Sequence, residues 1–405
     1  MSVSIRTLRS AAITTAALAT ATTLTLGPAG TAAADAAPTA NAAPIAVDLP
    51  VPPGTDWSET TGVNDKGVIV GYADHYGADF RKTPLRWNAD LGLTTLPLLP
   101  GDRNGQAVGV NDDGTVIGYS GDRPVRRSPA GTVSALPLLP GDTVGYVYGI
   151  SASGTAIGYS WGNEQSRGVE WRPDGTVVAL APLAGDTEAH ALSINSSGTM
   201  AGYSSDPNPD GTESKHAVIW GPDGTPTDLS AASGYNTTVA IQVNDSGAVI
   251  GSGQDGNEPG PGPLHSLLWA PDGSVRELGT GGGPRLINSA GVMVGEYYGD
   301  STVTTQASRW SADGTRTPLA PPVSNVGAIN DSGVVVGHVS ESSDGDRRWA
   351  KRWNTDGTTT DLTVPNGVEA HAAAKFINRA GLIAGYRITN LGPGSWRHAA
   401  VVWKP

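Results

Sequence analysis

Apolar residues along this chain come in short runs that never hold a helical period. Runs rich in Val, Ile, Thr, Trp and Tyr are cut at close intervals by Asn-Asp, Asp-Gly and Pro-Asp-Gly. Short β-rich runs bounded by such turn residues read as strands and hairpins. One segment recurs eight times: Ile or Val, usually Asn, two variable residues, Gly, three residues, and a second Gly. The copies are VNDKGVIVGY (63–72), VNDDGTVIGY (110–119), ISASGTAIGY (150–159), INSSGTMAGY (194–203), VNDSGAVIGS (243–252), INSAGVMVGE (287–296), INDSGVVVGH (329–338) and INRAGLIAGY (377–386). Their first glycines lie 40 to 49 residues apart.

A second pattern follows each of these anchors. Trp is followed nine residues later by Leu at 87/96, 171/180, 220/229, 269/278, 310/319 and 353/362, and Arg127 takes the Trp position ahead of Leu136. A fixed spacing around a turn is a fixed hairpin. In Asn-Asp-x-Gly the polar side chain bonds nearby backbone and Gly takes the positive-φ position. Each repeat therefore predicts four strands: a into the Asn turn, b out through the second Gly, c into the Trp, d out to the Leu. Four antiparallel strands repeated at this length describe a propeller blade. The expected fold is all-β: a single β-propeller of eight four-stranded blades over 45–405.

The last copy stops just after Trp403, short of a strand d, while Ile45–Pro50 precedes the first anchor. Leu49 lies 14 residues before Val63, the spacing also found from Leu96 to Val110 and from Leu136 to Ile150. The N-terminal segment is thus expected to supply the eighth blade's strand d and to close the ring, which removes open sheet edges.

Composition adds export and removes several chemistries. Arg6 and Arg9 precede an Ala/Thr/Leu-rich stretch, Gly27-Pro28 and Ala32-Ala33-Ala34, the layout of a secretory signal. Residues 1–34 are expected to be a signal peptide and 35–44 a flexible linker, and the protein to be secreted. With no Cys there are no disulfides, thiolate metal sites or thiol catalysis. A net charge of −12 argues against a nucleic-acid partner and against an anionic membrane surface.

The repeats resemble the HAF-repeat family of bacterial extracellular repeat proteins. His216-Ala217-Val218-Ile219-Trp220, His265-Ser266-Leu267-Leu268-Trp269 and Leu278-Gly279-Thr280-Gly281-Gly282-Gly283 match its middle and last elements, and the namesake Phe is absent. The resemblance implies a secreted propeller-like protein and no catalytic residues.

The a–b and c–d turns share one face of such a ring and are uniform. The b–c and d–a loops share the other and vary in length, which makes that face, with the channel mouth, the expected binding surface. Seven of the 11 Trp occupy the repeat position and are expected to pack between blades. Trp57, Trp161, Trp349 and Trp396 fall outside it, three in b–c loops and Trp57 before the first strand a, and are the candidate ligand-binding aromatics. His190 with Glu188 and His371 with Glu369 are candidate acid/base pairs at the mouth. Asp206, Asn208, Asp210 and Glu213 in DPNPDGTE resemble the first ligands of a Ca²⁺ loop without its bidentate Glu; no other cofactor is indicated. The expected function is a monomeric binding module for an extracellular glycan or protein. The rival is an extracellular carbohydrate-active hydrolase or lyase with an acidic site at the channel mouth.

Overall fold

A computed structural model describes residues 43–405 apart from 78–79, 163–164, 208–212, 256–262, 299–304, 323, 341–346, 366–369 and 393–394. The expected signal peptide and nearly all of the linker lie outside the described residues. The described chain forms eight four-stranded antiparallel blades, in which strands adjacent in sequence are adjacent in the sheet, and a parallel bridge from Trp57 to His398 joins the first and eighth into one sheet. The third blade shows the unit: Val144–Ile150 (a), Ala156–Gly162 (b), Gln165–Trp171 (c) and Val177–Ala179 (d).

The eighth blade takes strands a to c from the C-terminus (Ala370–Ile377, Ile383–Gly392, Ser395–Trp403) and strand d from the N-terminus (Val47–Asp48). Val47 pairs with Val402 and Asp48 with Val401. The Leu49 amide donates to Ala400 O at 2.9 Å, as Leu96 does to Pro84 and Leu136 to Pro124. Leu49 therefore occupies the register its spacing predicts. The seam is reinforced by Asp48, whose carboxylate takes Nε and Nη2 of Arg387 at 2.6 Å each. A bidentate charge-assisted pair of this kind fixes geometry as well as adding energy. Pro44 O accepts the Thr363 amide at 3.0 Å, so the ring already begins at the end of the expected linker.

Strand a pairs in its sheet with strand b, and in the first blade Trp57 also bridges to His398 of the eighth; the other edge of each strand a meets the strands a of both neighbours, and these contacts run unbroken around the ring. The eight inner strands line the channel. The core lies between blades: Ile117 of the second blade joins Val147, Ile150, Val169 and Trp171 of the third, and Ile157 of the third joins Trp220 of the fourth. All seven repeat Trp are buried. Six donate Nε1 to a carbonyl at the end of the preceding blade's strand d, as Trp87 does to Pro50 and Trp171 to Pro137, both at 2.6 Å. Arg127, fully buried, keeps this bond through Nε to Pro97 O at 2.8 Å.

The anchor's residues have separate jobs. Its first Gly has positive φ (77° at Gly67) and closes the a–b turn. The second cannot carry a side chain, because a Cβ on Gly158 would lie 1.8 Å from Tyr146 O. The Asn does more than hold its own turn. In Asn244, Oδ1 accepts the Ala248 amide at 2.8 Å while Nδ2 donates to Asn288 O of the next blade at 2.9 Å. Asn64, Asn111, Asn195, Asn288, Asn330 and Asn378 repeat both bonds. A circle of side-chain hydrogen bonds thus passes from blade to blade. Its single interruption is the third blade, where Ser151 holds its own turn by accepting the Thr155 amide and is too short to reach the fourth.

Candidate functional site

Two positions of the repeat come together at the channel mouth on the b–c/d–a side. One lies four residues before the anchor, on strand a; the other follows the second Gly, on strand b. They are direct cross-strand partners: Glu59/Tyr72, Gln106/Tyr119, Tyr146/Tyr159, His190/Tyr203, Val239/Ser252, Gly283/Glu296, Asn325/His338 and Ala373/Tyr386. Each strand a also carries a bulge two residues before the anchor, at Thr61, Val108, Tyr148, Leu192, Ile241, Arg285, Gly327 and Lys375. A bulge leaves one residue out of the ladder and re-aims its side chain.

On blades two to four these positions form an aromatic arc. Tyr119 meets Tyr146 edge-on at 6.4 Å, Tyr146 stacks on Tyr159 at 4.7 Å, and His190 lies 6.3 Å from Tyr159 and 5.3 Å from Tyr203. Lys215 Nζ sits 4.3 Å over the Tyr203 ring. The arc is braced from below: Tyr119 Oη accepts the Val147 amide at 2.9 Å, and Tyr148 donates to Ala191 O of the fourth blade. Tyr146 remains 43% exposed.

Across the channel, blades six to eight and one present charge. Glu59 accepts from Lys375 Nζ at 2.5 Å and from Tyr72 Oη at 3.0 Å. Burial pushes the Glu59 carboxyl up, but Lys375, with His398 and the Tyr72 hydroxyl, more than reverses this and holds it below the usual range. Glu296 is buried, accepts the Val326 amide at 3.3 Å and lies 3.0 Å from Arg285 Nε; burial raises its pKa. His338 is pushed down to about 4 by burial and by the Arg348 guanidinium, so its ring is neutral at pH 7. Arg348 Nη1 donates to Tyr386 Oη at 3.0 Å.

The four candidate Trp are placed differently from expectation. Trp161, Trp349 and Trp396 sit within strands, opposite Val144, Val339 and Asn390, because the b–c ladders run further than their polar ends suggest. They are 42%, 38% and 54% exposed. Trp161 shares a sheet face with Tyr159, two residues away, and so extends the arc. Trp57 opens the first strand a and is half-buried, stacked on His398 at 3.6 Å and 7°; it belongs to the closing seam. No ring contact joins any two of the four. Of the candidate Ca²⁺ ligands, Asn208 and Asp210 lie outside the described residues. Asp206 accepts from Thr187 Oγ1 at 3.0 Å, and Glu213 starts strand c opposite Pro207. Among the described residues no group of three or more His, Asp or Glu is placed to hold a metal. His190 is buried within the arc, 3.7 Å from Glu188; His371 meets Trp396 edge-on at 5.8 Å, and Glu369 lies outside the described residues.

The opposite mouth, framed by the uniform a–b turns, holds an open, shallow depression lined largely by Asn and Asp of the anchors. Its carboxylates are engaged: Asp245 takes the Ser196 amide, Asp65 the Arg379 amide, and Asp331 the Ser289 amide and Arg379 Nη2. This end is a collar between blades.

The chain is similar in fold to solved structures of low identity. A streptogramin B lyase is 10% identical over 88% of this chain and 96% of that one, with a TM-score of 0.42. The β-propeller domain of the Trilobed protease from Pyrococcus furiosus is 10% identical over 86% and 95%, at 0.47. Prolyl oligopeptidase B from Galerina marginata is 11% identical over 83% of this chain and 55% of that one, at 0.50. No family model matches the chain, and no curated protein matches it.

Proposed function

We propose that this propeller is a non-catalytic, monomeric binding module that works outside the cell and holds a saccharide across the b–c/d–a mouth of its channel. The observation that carries the reading is the arc Tyr119–Tyr146–Tyr159–His190–Tyr203, extended by Trp161. Rings already packed against one another lose little freedom on binding, and their open faces offer apolar area to a sugar ring. The polar groups opposite supply hydrogen bonds for hydroxyls. The export expectation rests on Arg6, Arg9 and the small residues 32–34.

A glycan array on the purified protein, followed by calorimetric titration of the best binder, tests this. Tyr146→Ala and Trp161→Ala should each weaken binding about tenfold, roughly 1.4 kcal/mol, without moving the melting temperature. Binding untouched by both substitutions would refute the site. One observation favours the hydrolase or lyase reading: at equivalent positions of adjacent blades, burial favours the protonated carboxyl of Glu296 and the neutral ring of His338, a proton donor and a proton acceptor on neighbouring blades. A polysaccharide-degradation screen in which product formation disappears in Glu296→Gln would establish that reading instead.

A further inference from the structure

Among the described residues the charged wall is internally balanced except at one point. Lys375 is neutralised by Glu59, and Arg285 by Glu296. Arg348 has no carboxylate partner among the described residues. Its hydrogen bond goes to the Tyr386 hydroxyl of the next blade. The register puts Arg348 opposite Ser340 and Ala350 opposite His338, so Arg348 and His338 share one face of the seventh blade. His338 adds no charge there. A half-buried guanidinium, bonded through one nitrogen to a tyrosine and flanked by a neutral imidazole, has N–H groups left for a ligand.

We propose that the bound saccharide is acidic, and that a carboxylate on it pairs with the Arg348 guanidinium while its rings lie against the aromatic arc. This rests on the saccharide reading above and deepens it. The planar guanidinium fork fits a carboxylate through two parallel hydrogen bonds. Tyr386 holds the fork in place, and His338 can donate from one ring nitrogen to the same anion. The protein's net charge of −12 opposes an anionic ligand only weakly, because charges more than about 8 Å away are largely screened at physiological salt. Recognition then depends on the local guanidinium.

The test is an array carrying uronic-acid oligosaccharides beside their methyl esters, which keep the rings and lose the charge, with calorimetry on any pair that binds. The acidic member should bind at least about tenfold more tightly than its ester, with an advantage that shrinks as salt is raised. Arg348→Gln should bring the acidic member down to the level of its ester, and Arg348→Lys should restore part of the difference. Tyr386→Phe, which frees the fork without removing it, should reduce the preference; it serves as the deciding variant if Arg348→Gln does not fold. Equal binding of acid and ester would overturn this inference and leave the saccharide reading standing. A preference that survives both Arg348→Gln and Tyr386→Phe would overturn the assignment to Arg348. If no saccharide on the array binds, both readings fall.

Discussion

Arg127→Trp should stabilise the protein, and the structure gives the size of the effect. Arg127 is the one copy of the repeat in which a guanidinium fills the space that indoles fill elsewhere. It is fully buried, with bonds to Pro97 O and Tyr119 O at 2.8 Å each and no hydrogen-bond partner for Nη1. Burial pushes its pKa down from 12.5 to about 10. At about 1.4 kcal/mol per unit, the charged form is disfavoured by roughly 3 kcal/mol at every pH below about 10. An indole removes that cost, and its Nε1 can make the Pro97 bond that Trp87 makes to Pro50. The Tyr119 bond is lost, at about 1 kcal/mol, and added apolar burial returns about 1 kcal/mol. Gly118 holds the register position that Gly158 holds beneath Trp171, so the ring has the floor it has elsewhere. The net gain is about 2–4 kcal/mol. At about 2 °C per kcal/mol for a body this large, the melting temperature should rise roughly 4–8 °C in differential scanning calorimetry at pH 7. Arg127→Leu, which leaves Pro97 O unpaired, should gain less. A melting temperature at or below the parent's for Arg127→Trp, with unchanged circular dichroism, would refute the claim that the charge is a liability.

Other expectations follow from the same contacts. Ser151→Asn should complete the circle of Asn side chains and add about 1 kcal/mol; a denaturant midpoint that does not rise would show the third and fourth blades to be too far apart for the bond. Asn244→Ala leaves the buried Ala248 amide without a partner and takes from the Asn288 carbonyl its donor from the neighbouring blade, the Gly291 amide remaining, and should cost about 2–4 kcal/mol in urea unfolding. Deleting Ile45–Leu49 removes strand d of the eighth blade together with buried Ala46 and Leu49, and should lower the melting temperature by more than about 10 °C; an unchanged melt would sink the closure. His338, at about 4 when folded against an ordinary 6.5, and His398, lowered by burial, bind fewer protons folded than unfolded. Stability should therefore fall as pH drops from about 6.5 to 4. The raised carboxyls of Glu296 and Asp74 act in the opposite sense, and His338→Gln should flatten the fall; a parent protein as stable at pH 4.5 as at pH 7 would contradict the histidine argument.

Much of the architecture is legible in one dimension because turns are local. Asn64 to Gly67 and the nine residues from Trp171 to Leu180 each specify their own hairpin, and Leu49 declares its blade by counting alone. Where strands end is less legible. Ser204, Ser205 and Asp206 carry no apolar alternation, yet they continue strand b because Lys215 and Ser214 lie opposite them. The second bond of each anchor Asn crosses to a copy 40 to 49 residues away, so inspection of one repeat shows only the bond within its turn. The mouth is the least legible part. A repeat is found by what stays constant, whereas Glu59, Tyr146, His190 and Asn325 stand at one position and have nothing in common. The Tyr after the second Gly was visible as part of the anchor, but its pairing with that variable position emerged only in the sheet.

Closure by the N-terminal strand has a consequence for the order of events during synthesis. Asp48 and Arg387 are 339 residues apart. At about 5–20 residues per second, the first-made edge of the ring waits roughly 20–70 s for its partner to be translated. Throughout that interval every blade from the second to the seventh can hold its own strands, but the first has no neighbour on one flank. The finished ring is thus a clasp between the oldest and newest parts of the polypeptide, and a chain released early carries two unmatched ends able to find each other on different molecules.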